Sequence, residues 1–439
     1  MLLMRTKHHI YDRILMVTLG CAKNIVDSER LMQQFSSNKL IVEFDKKHTK
    51  ARIVIINTCG FIGDAKKESI DTILYYIAEK RDKKIDNIFI IGCLVERYKN
   101  ELKKELSEVD GFFGINQMQE IIETLGFKYK SELVGERLIS TPSHYAYLKI
   151  SEGCNRNCSF CAIPSIRGKY ESYPMQNIIN EASFLAQSGV KELLIIAQDI
   201  SSYGIDLSES SQLSRLIEKL SKIKGIEWIR LHYAYPKDFP KDLLRVINDN
   251  PKVCKYLDIP FQHISDNMLQ KMRRGMNKDK TIRLIETIRS AIPEIALRTT
   301  LLVGHPGETE KDFEEMVKFL QDTRFDRLGV FKYSHEENTY AAANYTDNVS
   351  LATKNKRADI IMSIQKNISM ETNKKTIGRE YKVIIDRKED SIFIGRTQFD
   401  SPEVDNEVIV KSTKPIKIGN FYTIRIKESS EYDLIGDRV

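Results

Sequence analysis

Strand-like apolar runs and amphipathic helix-like runs alternate along most of this 439-residue chain, and that alternation narrows its possible folds most. In the first third, residues 14–18, 52–57 and 87–91 read as strands. Each is followed by a helical stretch, near 26–35, 65–79 and 94–106. Strand–helix–strand order favours parallel sheets with right-handed crossovers. The pattern resumes on a larger scale from 146 to about 375. Strands are expected at 147–150, 192–197, 227–231, 256–259, 296–302 and 327–333. Six such units suggest a full or partial (β/α) barrel, with its chemistry at the carboxyl ends of the strands. After Gly378 no helix is expected, and 381–386, 391–396, 407–411, 421–427 and 432–436 read as the strands of a small β-barrel.

The turn-forming residues from Ser140 to His144 look like a linker. The expected fold is therefore α/β: an N-terminal parallel-sheet domain (1–140), a partial barrel (141–375) and a C-terminal β-barrel (376–439). No apolar run reaches the roughly 18 residues needed to cross a bilayer. The basic stretch from Met1 to Arg13 lacks the apolar core and cleavage site of a signal peptide. A cytoplasmic location without membrane attachment is expected. The net charge of +7 suits an anionic partner, and a Lys-rich soluble surface equally well.

Seven cysteines in a large chain of this kind favour metal binding or catalysis over disulfides. Cys154, Cys158 and Cys161 fall within eight residues, just after an expected strand. Three thiolates on one loop can converge on a soft metal centre, and a 4Fe–4S cluster so held keeps one iron open. A structural zinc site would need a fourth Cys or His, and only His144 is near in sequence. Cys21, Cys59 and Cys93 each follow an expected strand and precede an expected helix. In a parallel sheet such positions line the carboxyl edge, where ligands bind. A lone cysteine is commonly a buried core thiol, but three at equivalent strand ends favour a shared site. Cys254 has no such setting and reads as a core or surface thiol.

The spacing Cys154-x3-Cys158-x2-Cys161, with Phe160 before the last cysteine, resembles the radical S-adenosylmethionine (SAM) superfamily. Gly20-Cys-Ala-Lys-Asn24, Asn57-Thr-Cys-Gly60 and Gly92-Cys93 resemble its methylthiotransferase family. That family has an N-terminal domain with a second cluster, a radical SAM core and a C-terminal TRAM barrel. The resemblance implies two 4Fe–4S clusters, one on Cys154, Cys158 and Cys161 and one on Cys21, Cys59 and Cys93. It also implies SAM on the open iron of the first, with Phe160 near the adenine. Gln198, Asp199 and Arg298 are candidate SAM contacts, Arg298 through the carboxylate or else as a structural barrel salt bridge. The segment from Leu302 to Glu308 resembles the family's strand end near the adenine. His232, His263 and His305 are expected to pack around the site.

Several segments look like the ribosomal-protein branch, RimO: the stretch from Gly20 to Glu29, Asn57 to Ile62, Ala197-Gln-Asp199 and Tyr256 to Pro260. Ala22 stands where that branch usually has Pro. The resemblance implies methylthiolation of an aspartate β-carbon in small-subunit ribosomal protein S-twelve, free or on the ribosome. The first cluster would cleave SAM to a radical that abstracts hydrogen. A second SAM would methylate sulfur at the other cluster. An electron donor such as flavodoxin or ferredoxin is implied. The alternative is a MiaB-like tRNA adenosine methylthiotransferase. From Gly378 onward there are eleven Lys and Arg against twelve Asp and Glu, a poor surface for RNA phosphates. Asp400, Glu403, Asp405 and Glu407 crowd one loop that would repel tRNA and attract a basic protein, or be a solvated turn.

Overall fold

Five parallel strands, three of them carrying apolar residues on both faces, build the first sheet. The strands are β1 (Arg13–Thr18), β2 (Ile41–Phe44), β3 (Ile53–Thr58), β4 (Asn87–Gly92) and β5 (Gly111–Phe113). They are all parallel, in the order β2-β1-β3-β4-β5. Leu15, Val17, Val54, Ile56, Ile88 and Ile90 point to one face, against Ile73, Ile77, Leu94 and Leu102. Their alternates Ile14, Met16, Ile53, Ile55, Phe89 and Ile91 point to the other, against Leu31, Phe35 and Ile121. Side chains alternate with period two, so a strand apolar at every position must be covered twice, as parallel sheets are. The covering helices are α1 (Ala22–Ser37), α2 (Gly63–Arg81), α3 (Cys93–Glu105) and α4 (Met118–Thr124). Each fully buried aliphatic side chain contributes about 1.5–3 kcal/mol.

This computed structural model describes residues 12–46, 49–133 and 135–439. Most of the basic stretch from Met1 to Arg13 lies outside the described residues. The chain divides into two compact units. One holds the residues up to Ser140 together with Ser165–Arg167, the other Thr141–Pro164 and Gly168–Val439. No helix among the described residues is long and apolar enough to cross a membrane.

The second unit contains β6 (Tyr145–Lys149), a ribbon of β7 (Ser151–Glu152) and β8 (Glu171–Ser172), then β9 (Glu192–Ile196), β10 (Trp228–Leu231), β11 (Val253–Asp258), β12 (Ala296–Val303) and β13 (Arg327–Lys332). The six long strands form an open parallel sheet in the order β6-β9-β10-β11-β12-β13, so the barrel is partial. The helix α5 (Ile163–Arg167) follows the cysteine loop. A 24-residue helix, Leu351–Lys374, capped by Ser350, leads to the C-terminal strands. These are β14 (Glu380–Glu389), β15 (Ile392–Thr397), β16 (Glu407–Lys411), β17 (Phe421–Ser429) and β18 (Asp433–Arg438), closed into a barrel. Val383, Ile385, Val408, Val410, Ile424 and Ile426 fill it.

Within this unit the small barrel sits on the larger sheet. Ile384, Phe399 and Phe421 pack with Trp228, Cys254, Tyr256 and Ala296, so Cys254 is a core thiol. Glu192 lies between Arg230, at 2.8 Å, and Arg396, at 2.6 Å. His144, expected in a linker and considered as a zinc ligand, is buried, and its Nε2 lies 2.7 Å from Asp386 Oδ1. The acidic loop also differs from expectation. Asp400 is buried against Arg327, and Asp405 pairs with Arg298 and accepts from the Tyr256 hydroxyl. Glu407 pairs with Arg387. Half of the loop's charge is therefore spent holding the barrel to the sheet and does not face a partner.

Candidate functional site

Cys21, Cys59 and Cys93 stand at the carboxyl ends of β1, β3 and β4, which are neighbours in the sheet. Cys21 is the N-cap of α1, and Cys93 begins α3. Cys59 lies between them and is fixed by Ser69, whose hydroxyl accepts from its N–H at 3.1 Å. The loops that aim these thiols depend on two glycines. Gly20 has φ +90°, and a Cβ there would strike Cys59 Cβ at 2.7 Å. Gly92 has φ +95°, and a Cβ there would clash with Asn57 Oδ1. Only glycine tolerates both the left-handed backbone and the approach.

The three thiols are close enough to act on one another. Burial raises the Cys93 pKa to about 12; the Arg167 charge opposes this, and Cys21 and Cys59 add to it. Burial also raises Cys59, with a further push from Cys21. Arg167 belongs to this unit. Its guanidinium donates to Asn24 Oδ1 at 2.7 Å and to Cys93 Sγ at 3.6 Å, and it pairs with Asp27 at 3.2 Å. Asn24 in turn donates to the Leu19 and Thr58 carbonyls. Soft donors around a shared centre, with a buried cation beside them, suit a metal–sulfur group, whose binding releases the thiol protons.

In the second unit, Cys154, Cys158 and Cys161 lie on the loop between β7 and α5. Backbone bonds fix it at several points. Cys154 N–H donates to Gly168 O at 3.1 Å, Ser159 N–H to Met272 O at 3.0 Å, and Ala341 N–H to Ser159 O at 2.7 Å. Burial raises Cys154 to about 11 and Cys161 to about 12, and in each case Cys158 adds to the shift. Arg274 donates to Cys158 Sγ at 3.1 Å. Among the described residues no three of His, Cys, Asp and Glu could hold a single metal ion.

Phe160 packs with Met268, Met272, Leu302 and Tyr333, and its ring lies 6.4 Å from that of His305. Burial lowers the His305 pKa to about 4, so its ring is neutral among Phe160, Tyr333 and Tyr345. His305 and Tyr333 are buried, so of these rings only the half-buried Phe160 and Tyr345 keep surface on which a flat aromatic ligand could pack. Gln198 donates to Glu152 Oε1 at 2.9 Å, while its own Oε1 is buried without a partner among the described residues. That orphaned acceptor fits a ligand amine or hydroxyl. Asp199 is fully used by the protein, accepting from Ser201 N–H, Arg156 Nε and the Ser202 hydroxyl. It orders the cysteine loop through Arg156.

Arg298 is placed differently from the expectation. It is the third residue of β12, at the amino end of the strand, paired with Asp405 and 4.0 Å from Asp258. Barrel chemistry lies at the opposite ends, so Arg298 is a structural ion pair. Sequence alone does not single out Arg167 or Arg274. Their only local signal is that Arg167 follows Cys161 by six residues.

Three family models match successive parts of the chain. Residues 148–320 match the family model of the Radical SAM superfamily, 377–439 the TRAM domain, and 13–114 the uncharacterized protein family UPF0004. The chain is 51% identical over 99% of its length to the whole of "Ribosomal protein uS12 methylthiotransferase RimO" of Cytophaga hutchinsonii. It is 52% identical, over 95% of its length and 97% of the relative, to the protein of that name from Phocaeicola vulgatus. Among solved structures, the radical SAM methyltransferase TsrM of Kitasatospora setae, with cobalamin and a [4Fe-4S] cluster bound, has a TM-score of 0.54 at 14% identity, covering 74% of this chain and 75% of that one. That likeness speaks for the fold alone.

Proposed function

This chain belongs to the RimO family of ribosomal protein uS12 methylthiotransferases, and from that premise we propose how its residues divide the work. It is a radical SAM enzyme that transfers a methylthio group to ribosomal protein uS12. Residues 141–375 form the SAM-binding core and 1–140 the sulfur-handling domain, with 376–439 as the TRAM barrel. Cys154, Cys158 and Cys161 hold one 4Fe–4S cluster and Cys21, Cys59 and Cys93 the other. With SAM, these groups supply one-electron chemistry and the methylthio unit.

The reacting atom is an aspartate β-carbon. Its C–H bond is a poor acid, so general-base catalysis has little to act on. The chain's own task is to bind, orient and exclude. Phe160, backed by the buried His305 and Tyr333, offers its ring to the SAM adenine, and Gln198 Oε1 takes a hydrogen bond from the cofactor. Arg156, held by Asp199, keeps the cysteine loop in place, since misplacement of about 1 Å can cost a hundredfold in rate. A small reduced electron carrier such as flavodoxin or ferredoxin serves as donor, and the setting is the cytoplasm, where ribosomes are made.

The full-length identity to relatives of one name, together with two thiol trios at strand ends, carries this reading. It is tested by intact-mass analysis of uS12 from cells lacking this gene. The expected mass is lower than wild type by one methylthio group, restored by the intact gene and not by a Cys158→Ala copy. An unchanged uS12 mass contradicts the reading. Altered tRNA nucleosides in the same cells would move the activity to tRNA.

A further inference from the structure

Several deeply buried arginines of this chain are matched to carboxylates. Arg137 pairs with Glu29, Arg230 and Arg396 share Glu192, and Arg357 pairs with Glu308. Arg274 is as well buried, 4% exposed, yet among the described residues no ion pair links it to a carboxylate. Its polar contacts are Cys158 Sγ at 3.1 Å, from Nη1, and the Pro260 carbonyl at 2.5 Å, from Nη2. Its Nε is buried without a hydrogen-bond partner. A buried cation without a counter-charge is costly, and the Cys158 sulfur is the group beside Arg274 that can carry a negative charge once it binds metal.

The surrounding backbone is built to aim this side chain. Arg273 and Gly275, on either side, both have left-handed backbone, with φ +56° and +66°. For Arg273 that conformation carries strain. Arg274 N–H donates to Leu269 O at 3.0 Å, and the same turn presents Met272 O to Ser159 of the cysteine loop. The guanidinium also stacks on the Tyr235 ring at 4.3 Å, and the Tyr235 hydroxyl returns a bond to Arg274 O at 2.9 Å. Its position relative to Cys158 is therefore fixed by backbone, ring and carbonyl together.

We propose that Arg274 is the charge-positioning residue of the Cys154–Cys158–Cys161 centre: its hydrogen bond to the Cys158 sulfur makes the cluster bound there easier to reduce. The inference rests on the assignment of a 4Fe–4S cluster to that trio. Hydrogen bonds and charge at cluster sulfurs are recognised levers on reduction potential. Arg274 acts through Cys158 and need not touch SAM or substrate.

The test uses the full-length chain carrying Cys21→Ala, Cys59→Ala and Cys93→Ala, reconstituted anaerobically so that a single cluster is observed. Reduced cluster is counted by electron paramagnetic resonance across a series of fixed potentials. Arg274→Gln is expected to lower the reduced-to-oxidised ratio about tenfold at a fixed poise, equivalent to about 59 mV for one electron. Arg274→Lys, which keeps the charge, is expected to stay within about threefold of the parent. A ratio within about twofold of the parent in Arg274→Gln overturns the proposal. If that variant fails to take up iron, the parent decides. With ¹⁵N-arginine incorporated, its reduced cluster should show a nitrogen hyperfine coupling that Arg274→Lys lacks, and absence of that coupling overturns the proposal. Failure of the parent itself to bind about four irons would instead remove the cluster assignment.

Discussion

Replacing Cys158 with alanine is expected to take methylthiolation of uS12 to background, a fall of about a thousandfold or more given what enzymatic catalysis supplies, and to take SAM consumption down with it. Replacing Cys59 with alanine is expected to remove the product just as completely but to leave SAM consumption running. The difference follows from where the two thiols sit. Cys158 belongs to the loop pinned by Ser159, Met272 and Ala341, beside the aromatic wall around His305. Cys59 sits at the end of β3 in the other unit, held by Ser69 and crowded by Gly20. The check is a paired assay of product and SAM turnover on a uS12 substrate. Product above about a tenth of the wild-type level in either variant, or equal loss of SAM turnover in both, would count against separate roles for the trios.

Glu192→Gln is expected to destabilise the second unit by about 3–5 kcal/mol, the usual cost of removing one partner from a buried ion pair. Glu192 and Arg230 have no exposed side-chain surface, and Arg396 is 2% exposed. Burial alone would raise the Glu192 pKa, but Arg396 and Arg230 together hold it down at about 2. Arg396 still has Asp386 after the change, whereas Arg230 loses its carboxylate. The native pKa is below the unfolded one, so this stabilisation is complete above about pH 4.5 and is lost as pH falls towards 2. Urea unfolding at neutral pH measures the loss, which is large against a typical total of about 5–15 kcal/mol. A loss below about 1 kcal/mol would mean that the triad does not hold the small barrel in place.

Much of this architecture is legible in the sequence alone. The strands at Arg13–Thr18, Ile53–Thr58 and Asn87–Gly92 are apolar at nearly every position, a pattern that fits a sheet covered on both faces and little else. The six cysteines stand out because each follows such a strand or crowds one loop. The strands Ile41–Phe44 and Gly111–Phe113 escape a reading by periodicity. Both lie at edges of the sheet and are only four and three residues long, too short for a repeat to register. Arg298 reads as a ligand contact because a charge on a barrel strand looks like one until its place along the strand is known. Asp400 and Asp405 read as free charge because their arginines lie 73 and 107 residues away in sequence. Arg274 gives no local signal, since nothing near it in sequence says that its counter-charge is a thiol.

The proposed function requires two separate sets of three thiols that each hold a four-iron cluster. Iron and acid-labile sulfide counted per chain after anaerobic reconstitution, with Mössbauer spectra of the same samples, test it most directly. The intact chain should bind about eight irons as two 4Fe–4S clusters, and each triple cysteine-to-alanine variant about four. About four irons in the intact chain, unchanged by replacing Cys21, Cys59 and Cys93, would contradict it.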